Sequence, residues 1–148
     1  MLCLCVVCCP GPQNVLADDI KLKECPAVVR QTIEQNLLGG NVDEIKEIRI
    51  NDHVLYIVEI DLKGFREARL YLAGDGALRK IVEEIKLRDL PVPVRQSLDQ
   101  YIKRPAQVED IEKVTIEETT QYHIEIKQPK IPDRTLIFEE DGSISSDK

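Results

Sequence analysis

The chain has 148 residues, 32% of them charged and 43% apolar, with a formal net charge of −7 and no tryptophan. This balance points to a folded, soluble body with an Ile, Val and Leu core, not to a disordered chain. It disfavours DNA and RNA as partners: a polyanion is repelled by a negative field, and no basic run or aromatic platform interrupts that field.

The amino end differs in kind from the rest. Met1–Ala17, MLCLCVVCCPGPQNVLA, holds four of the five cysteines and no charge. A short apolar run, Leu2–Cys9, is followed by Val15-Leu16-Ala17 and then the polar Asp18-Asp19. Small residues near Ala17 suit a signal peptidase, so the segment reads as leader-like and cleaved, or as disordered, and the mature protein as periplasmic or extracellular. No Lys or Arg precedes the apolar run, which departs from the usual leader. The run is far too short for a helix that spans a bilayer. Lipidation at Cys8-Cys9 lacks the small residues expected before a lipidated cysteine. Soft-metal binding by Cys3, Cys5, Cys8 and Cys9 lacks partners at zinc-site spacing. A cleaved chain keeps Cys25 alone, and this thiol reads as a small buried hydrophobe.

After Ala17 the chain is written twice. Leu22–Leu37 (LKECPAVVRQTIEQNL) returns as Leu87–Ile102 (LRDLPVPVRQSLDQYI), with Pro26, Arg30, Gln31 and Gln35 reappearing as Pro91, Arg95, Gln96 and Gln100. The offset is 65, and further along it becomes 66: Tyr56 matches Tyr122 and Asp75-Gly76 matches Asp141-Gly142. The units run 18–86 and 87–148. A unit of roughly 60–65 residues has a thin core and is marginal alone, so the two are expected to share one body.

In the first unit, Pro26 suits a helix's first turn. Val29, Ile33 and Leu37 fall on one helical stripe, and Gly39-Gly40 offers a stop, which predicts a helix over 26–38. The period then changes to two. Glu44–Ile50 reads as a strand and Asn51-Asp52 as a tight turn. Val54, Tyr56, Val58, Ile60 and Leu62 alternate with Leu55, Ile57, Glu59 and Asp61, so the first set faces the helix. Lys63-Gly64 turns the chain. Ala68, Leu70 and Leu72 continue the core face, Gly74-Asp75-Gly76 marks a hairpin, and Leu78–Ile85 gives the fourth strand.

The second unit repeats this order. The fourth strand is expected to run nearly straight through Lys86–Pro91 into a helix carrying Val94, Leu98 and Ile102, stopped by Arg104-Pro105. Val108–Ile116 and Gln121–Lys127 read as strands. Pro129 and Pro132 predict a long, irregular hairpin before Leu136 and Phe138, and the final SISSDK reads as a short strand. The fold class is α+β: two tandem units, each one helix followed by an antiparallel four-stranded sheet.

Cys25–Leu37 with Asn51–Leu78, and Leu90–Ile102 with Gln121–Ile144, together resemble the PepSY-like, beta-lactamase-inhibitor-like (BLIP-like) family of secreted bacterial proteins. The resemblance implies a helix on an antiparallel sheet, given in tandem and exported. It also implies binding to proteins, in some relatives as inhibitors, and carries over no catalytic residue. Cys25, the Pro129–Pro132 loop and the short carboxyl end depart from the pattern.

No chemical signature appears. His53 maps to Thr119 and His123 to Ile57, so the two histidines do not occupy equivalent positions, and neither a metal pair nor a triad is expected. Both read as surface residues, His53 in a turn and His123 on a strand's wet face. Gly74-Asp75-Gly76 lacks the ligand ladder of a calcium loop, and no phosphate-binding or nucleophile-elbow motif occurs. The expectation is a protein with no cofactor, no metal and no enzyme activity. What remains is the sheet face opposite the helices: Leu55, Ile57, Glu59, Arg69 and Tyr71, with His123, Glu125, Lys127 and Ile137. Leu55, Ile57, Arg69, Tyr71, His123 and Ile137 are the candidate contacts for a protein or peptide. Apolar side chains scattered singly would mean nothing; a contiguous patch marks an interface. A structural role, as a homodimer through edge strands, is the alternative.

Overall fold

The computed structural model describes residues 15–102 and 107–147. In chain order its elements are β1 (Val15–Asp19), α1 (Ala27–Gln35), β2 (Asn41–Ile50), β3 (His53–Leu62), β4 (Arg66–Ala73), β5 (Leu78–Glu84), α2 (Val92–Tyr101), β6 (Gln107–Ile116), β7 (Thr119–Gln128), β8 (Ile131–Glu139) and β9 (Ile144–Asp147). All nine strands form one antiparallel sheet whose spatial order is the chain order. At about 4.8 Å per strand, the sheet is roughly 40 Å wide. The class is therefore α+β, and the strands after each helix do not form separate sheets. The seam is the pairing of β5 with β6, from Lys80↔Ile116 to Glu84↔Glu112.

Both helices lie on one face of this sheet. α1 packs Val29 and Ile33 against Ile45, Tyr56, Val58, Ile60, Ala68, Leu70 and Leu72. α2 packs Val94 and Leu98 against Ile111, Tyr122, Ile124, Leu136 and Phe138. Each fully buried aliphatic or aromatic side chain contributes roughly 1.5–3 kcal/mol. Strand alternation makes the register strict: a one-residue slip of β3 would carry Glu59 and Asp61 beneath α1.

Cys25 is buried and sits in the first cluster as Leu90 sits in the second. Burial, and then the charge of Glu47, pushes its thiol pKa up. A thiol held protonated this way is a poor nucleophile.

The structure adds to some local expectations and corrects others. Val15–Asp19, which include the last three residues of the segment read as leader-like, form β1 and pair with β2. All five side chains of β1 are exposed, so backbone pairing holds this edge strand. The cysteines before it, and the Arg104-Pro105 stop, lie outside the described residues.

α1 ends at Gln35, three residues before the expected stop, where the Asn36 N–H bonds to the Ile33 carbonyl. Leu38 (φ 54°) and Gly39 (φ 79°) then reverse the chain. Gly40 passes so close to β3 that an added Cβ would overlap the Asp61 carbonyl. The passage into α2 is not straight. It contains a 3-10 turn, Leu87–Asp89, matched before α1 by Leu22–Glu24. In each, an acid three residues on accepts the N–H of a lysine: Asp89 from Lys86 at 3.2 Å and Glu24 from Lys21 at 2.6 Å.

The β7–β8 hairpin is tight, not long. Lys130 supplies a left-handed residue (φ 67°), and Pro132 enters β8 opposite a register shift, where its missing N–H is tolerated.

Irregularities recur at a fixed interval. Register shifts fall at Val42/Glu44 and again at Val108/Asp110, and at Tyr71/Leu72 and again at Ile137/Phe138. Left-handed Asn51 and Gly76 are matched by Glu117 and Gly142. In both of the last hairpins an aspartate accepts an N–H two residues on: Asp75 from Ala77 at 2.9 Å and Asp141 from Ser143 at 2.8 Å. Gly142 is also a close approach, since a Cβ there would meet the Pro93 carbonyl oxygen of α2 at 2.6 Å.

Tyr56 anchors the first core, and its hydroxyl donates to Glu47 at 2.9 Å. Truncation, Tyr56→Ala, is expected to cost about 3–5 kcal/mol in chemical denaturation. Burial, together with the Glu47 bond, raises the phenol from 10.0 to about 12. The folded state thus holds a proton that the unfolded state releases first. Its stabilisation is complete below about pH 10 and is lost as pH rises toward 12, on the order of 2–3 kcal/mol. Tyr56→Phe should lose about 1 kcal/mol at pH 7 and lack this part of the alkaline decline. Equal alkaline slopes in the two proteins would refute the assignment.

Candidate functional site

The sheet's other face carries no helix among the described residues, and alternation decides what it presents. Between the buried Tyr56, Val58, Ile60 and Leu62 stand Leu55, Ile57, Glu59 and Asp61. Ile57 lies opposite Tyr71 and Glu59 opposite Arg69. Across the seam, Val82 lies opposite Val114, and on β7 and β8 His123 lies opposite Ile137. All six candidate residues, Leu55, Ile57, Arg69, Tyr71, His123 and Ile137, therefore share this face.

The side chains link them further. The Arg69 guanidinium reaches Glu112 at 2.6 Å, spanning β5 from β4 to β6. Glu112 in turn lies opposite His123. The Lys80 ammonium sits 5.1 Å from the centre of the Tyr71 ring, a cation–π contact of about 1 kcal/mol between two half-buried side chains. His123 departs from the wet position expected of it: it is half-buried, and its Nε2 is shielded from solvent. His53 is exposed at the start of β3.

Two central residues escaped the sequence reading. Val82 is 4% exposed and Val114 3%, yet neither belongs to a helix-side cluster. The seam buries them, with the Arg69–Glu112 pair lying across β5. A signal existed: Ile111 and Val114 are three apart in a strand, so they point to opposite faces.

The face has two chemically different ends. Toward the Asn51 turn lie Ile48, Leu55, Ile57, Tyr71 and the exposed Ile116. Toward the β3–β4 hairpin, acids stand directly opposite acids: Glu44 and Glu59, Asp61 and Glu67, Glu84 and Glu112, Asp110 and Glu125. Directly opposed like charges cost up to about 1 kcal/mol per pair. Among the described residues no group of three or more His, Cys, Asp or Glu is placed to hold a metal ion, and no helix is long and apolar enough to cross a membrane.

Solved structures share this architecture. A BLIP-like protein from Bacteroides fragilis superposes with a TM-score of 0.64 at 16% identity, over 84% of this chain and 85% of its own. The fold is BLIP-like. A candidate periplasmic protein from Bacteroides eggerthii gives a TM-score of 0.67 at 13% identity, over 84% and 88% of the two chains. A DUF2874 family protein from Bacteroides ovatus gives 0.66 at 13% identity, over 84% and 86%. No family model and no curated protein matches the sequence. The BLIP-like resemblance thus holds at the level of fold, at identities where sequence alone carries little.

The Arg69–Glu112 pair is half-exposed, with side chains 41% and 26% accessible. Solvent screening limits what it adds to stability. A double-mutant cycle with Arg69→Ala and Glu112→Ala should give a coupling under about 1 kcal/mol in denaturant unfolding. A coupling of several times that size would make the pair a structural clamp on the seam.

Proposed function

We propose that this protein is a non-catalytic exported binding module that engages a protein or peptide through the helix-free face of its sheet. The observation that carries the reading is the run of partly accessible apolar side chains on that face, paired across strands at Ile48↔Leu55 and Ile57↔Tyr71. A solitary exposed hydrophobe is unremarkable, whereas a run across adjacent strands suits an interface. Tyr71 and Arg69 are the residue types that most often anchor one. Inhibition of the bound partner, implied by the sequence resemblance, belongs to the same reading.

The irregularities that recur 66 residues apart support a finer statement: one helix-and-four-strand unit is written twice, and the two copies share one sheet. Export is supported by the leader-like apolar run Leu2–Cys9 and by the structural neighbour described as a candidate periplasmic protein.

The test joins Tyr71→Ala with Ile57→Asp. The double variant should fold and melt like the parent, while losing capture of any partner recovered from an envelope extract. Capture that survives the double substitution would remove this face from the reading.

A structural, oligomerising role in the envelope is the second reading. Val15 and Leu16 on edge strand β1 are 55% and 61% exposed, a surface on which a second copy could pair to make a homodimer. Light scattering that shows a monomer at every concentration would eliminate it.

A further inference from the structure

We propose that the occupant of the helix-free face is a cationic polypeptide segment that carries apolar side chains as well as Lys or Arg. This deepens the binding reading and rests on it. Ile57 and Tyr71 make one end of the face apolar. Toward the other end, Asp61, Glu67, Glu84 and Glu112 stand on β3, β4, β5 and β6, with Asp61 opposite Glu67 and Glu84 opposite Glu112. The Glu84 carboxylate also accepts the Glu67 N–H at 3.1 Å.

The fold does not require these acids. Its cores lie on the other side, and opposed carboxylates work against strand pairing. Arg69 already offsets Glu112 from within the chain; basic side chains laid across the rest of the row would relieve the remaining repulsion in the complex, so charge complementarity selects a cationic partner and quickens its arrival. The apolar end supplies the desolvated contact that charge alone does not provide.

Phe65 lies in the turn between β3 and β4, beyond the Asp61–Glu67 pair. It stands fully exposed at the β3–β4 hairpin with φ 57°, a backbone conformation that favours glycine or asparagine over a bulky aromatic. A second copy of this chain is a poor occupant, because face-to-face pairing would set one acid row against another.

The probes are three synthetic peptides that alternate leucine with lysine, with serine or with glutamate, titrated while backbone amide shifts are followed by NMR. The lysine peptide should shift amides of β3 to β6, and binding should weaken in high salt. Glu59→Lys with Glu67→Lys should weaken it about tenfold or more. The melting temperature of that variant should change little, because reversal removes the Glu44–Glu59 and Asp61–Glu67 pairs while setting one lysine opposite Arg69. Glu34→Lys with Asp99→Lys makes the same change in net charge on the helices and should leave binding intact.

Equal weakening by the helix variant would reduce the effect to the field of the whole chain and overturn the proposal. Serine or glutamate peptides that bind the face as tightly would overturn the cationic partner while leaving a binding face in place. If no peptide shifts the face, the proposal fails, and partner capture by the Tyr71 and Ile57 double variant still judges the broader reading by itself.

Discussion

The pairing of β5 with β6 is the constraint on which the rest depends. The two helix-side clusters do not merge: α1 gathers one, α2 the other, and no buried residue belongs to both. Two cores this small, left to separate sheets, would each be marginal. Five backbone pairs from Lys80 to Glu84 make the two halves one sheet. The same seam buries Val82 against Val114 on the side that no helix covers. The apolar centre of the candidate face is thus also part of what joins the halves.

That dual use divides the face into parts of different tolerance. Val82 and Val114 are almost without solvent contact, and any polar replacement there would be buried without a partner. Ile57, Tyr71 and Arg69 surround them and remain partly accessible. Replacing these three alters what the face offers more than what holds it together. Arg69 stands between the two groups, since its bond to Glu112 crosses the seam yet remains screened by water.

Much of this was legible in the chain because a strand with one buried face must alternate. Tyr56, Val58 and Ile60 against Ile57 and Glu59 assign both sides of β3 in one reading, and Asp75-Gly76 and Asp141-Gly142 place two hairpins. The features that escaped depend on main-chain bonds or distant partners. VLADD in β1 has no alternation, because both its sides are exposed and its backbone alone is engaged. The 3-10 turns rest on a carboxylate meeting an N–H three residues back, in sequences that also suit a loop. Pairing across the seam is long-range, so Val82 and Val114 carried no local mark beyond an odd spacing. The β7–β8 hairpin was misread because two prolines suggest a loop, whereas a register shift lets one of them sit inside a strand.

The two faces therefore answer to different selective pressures, in the physical sense that different energies act on them. On the helix side, packing density fixes identity, and a single cavity in Ile60 or Leu70 would be felt by the whole domain. On the other side, the pleat demands only residues that tolerate a strand. Acids set opposite acids are not what sheet stability would choose, and they gather toward one end while hydrophobes gather toward the other. A surface chosen for solubility alone would intersperse charges of both signs. Segregation of this kind leaves the free protein slightly less stable than it could be. Arg69 and Lys46 answer two of these acids, Glu112 and Glu44, from within the chain; on the proposed reading, a partner answers the rest.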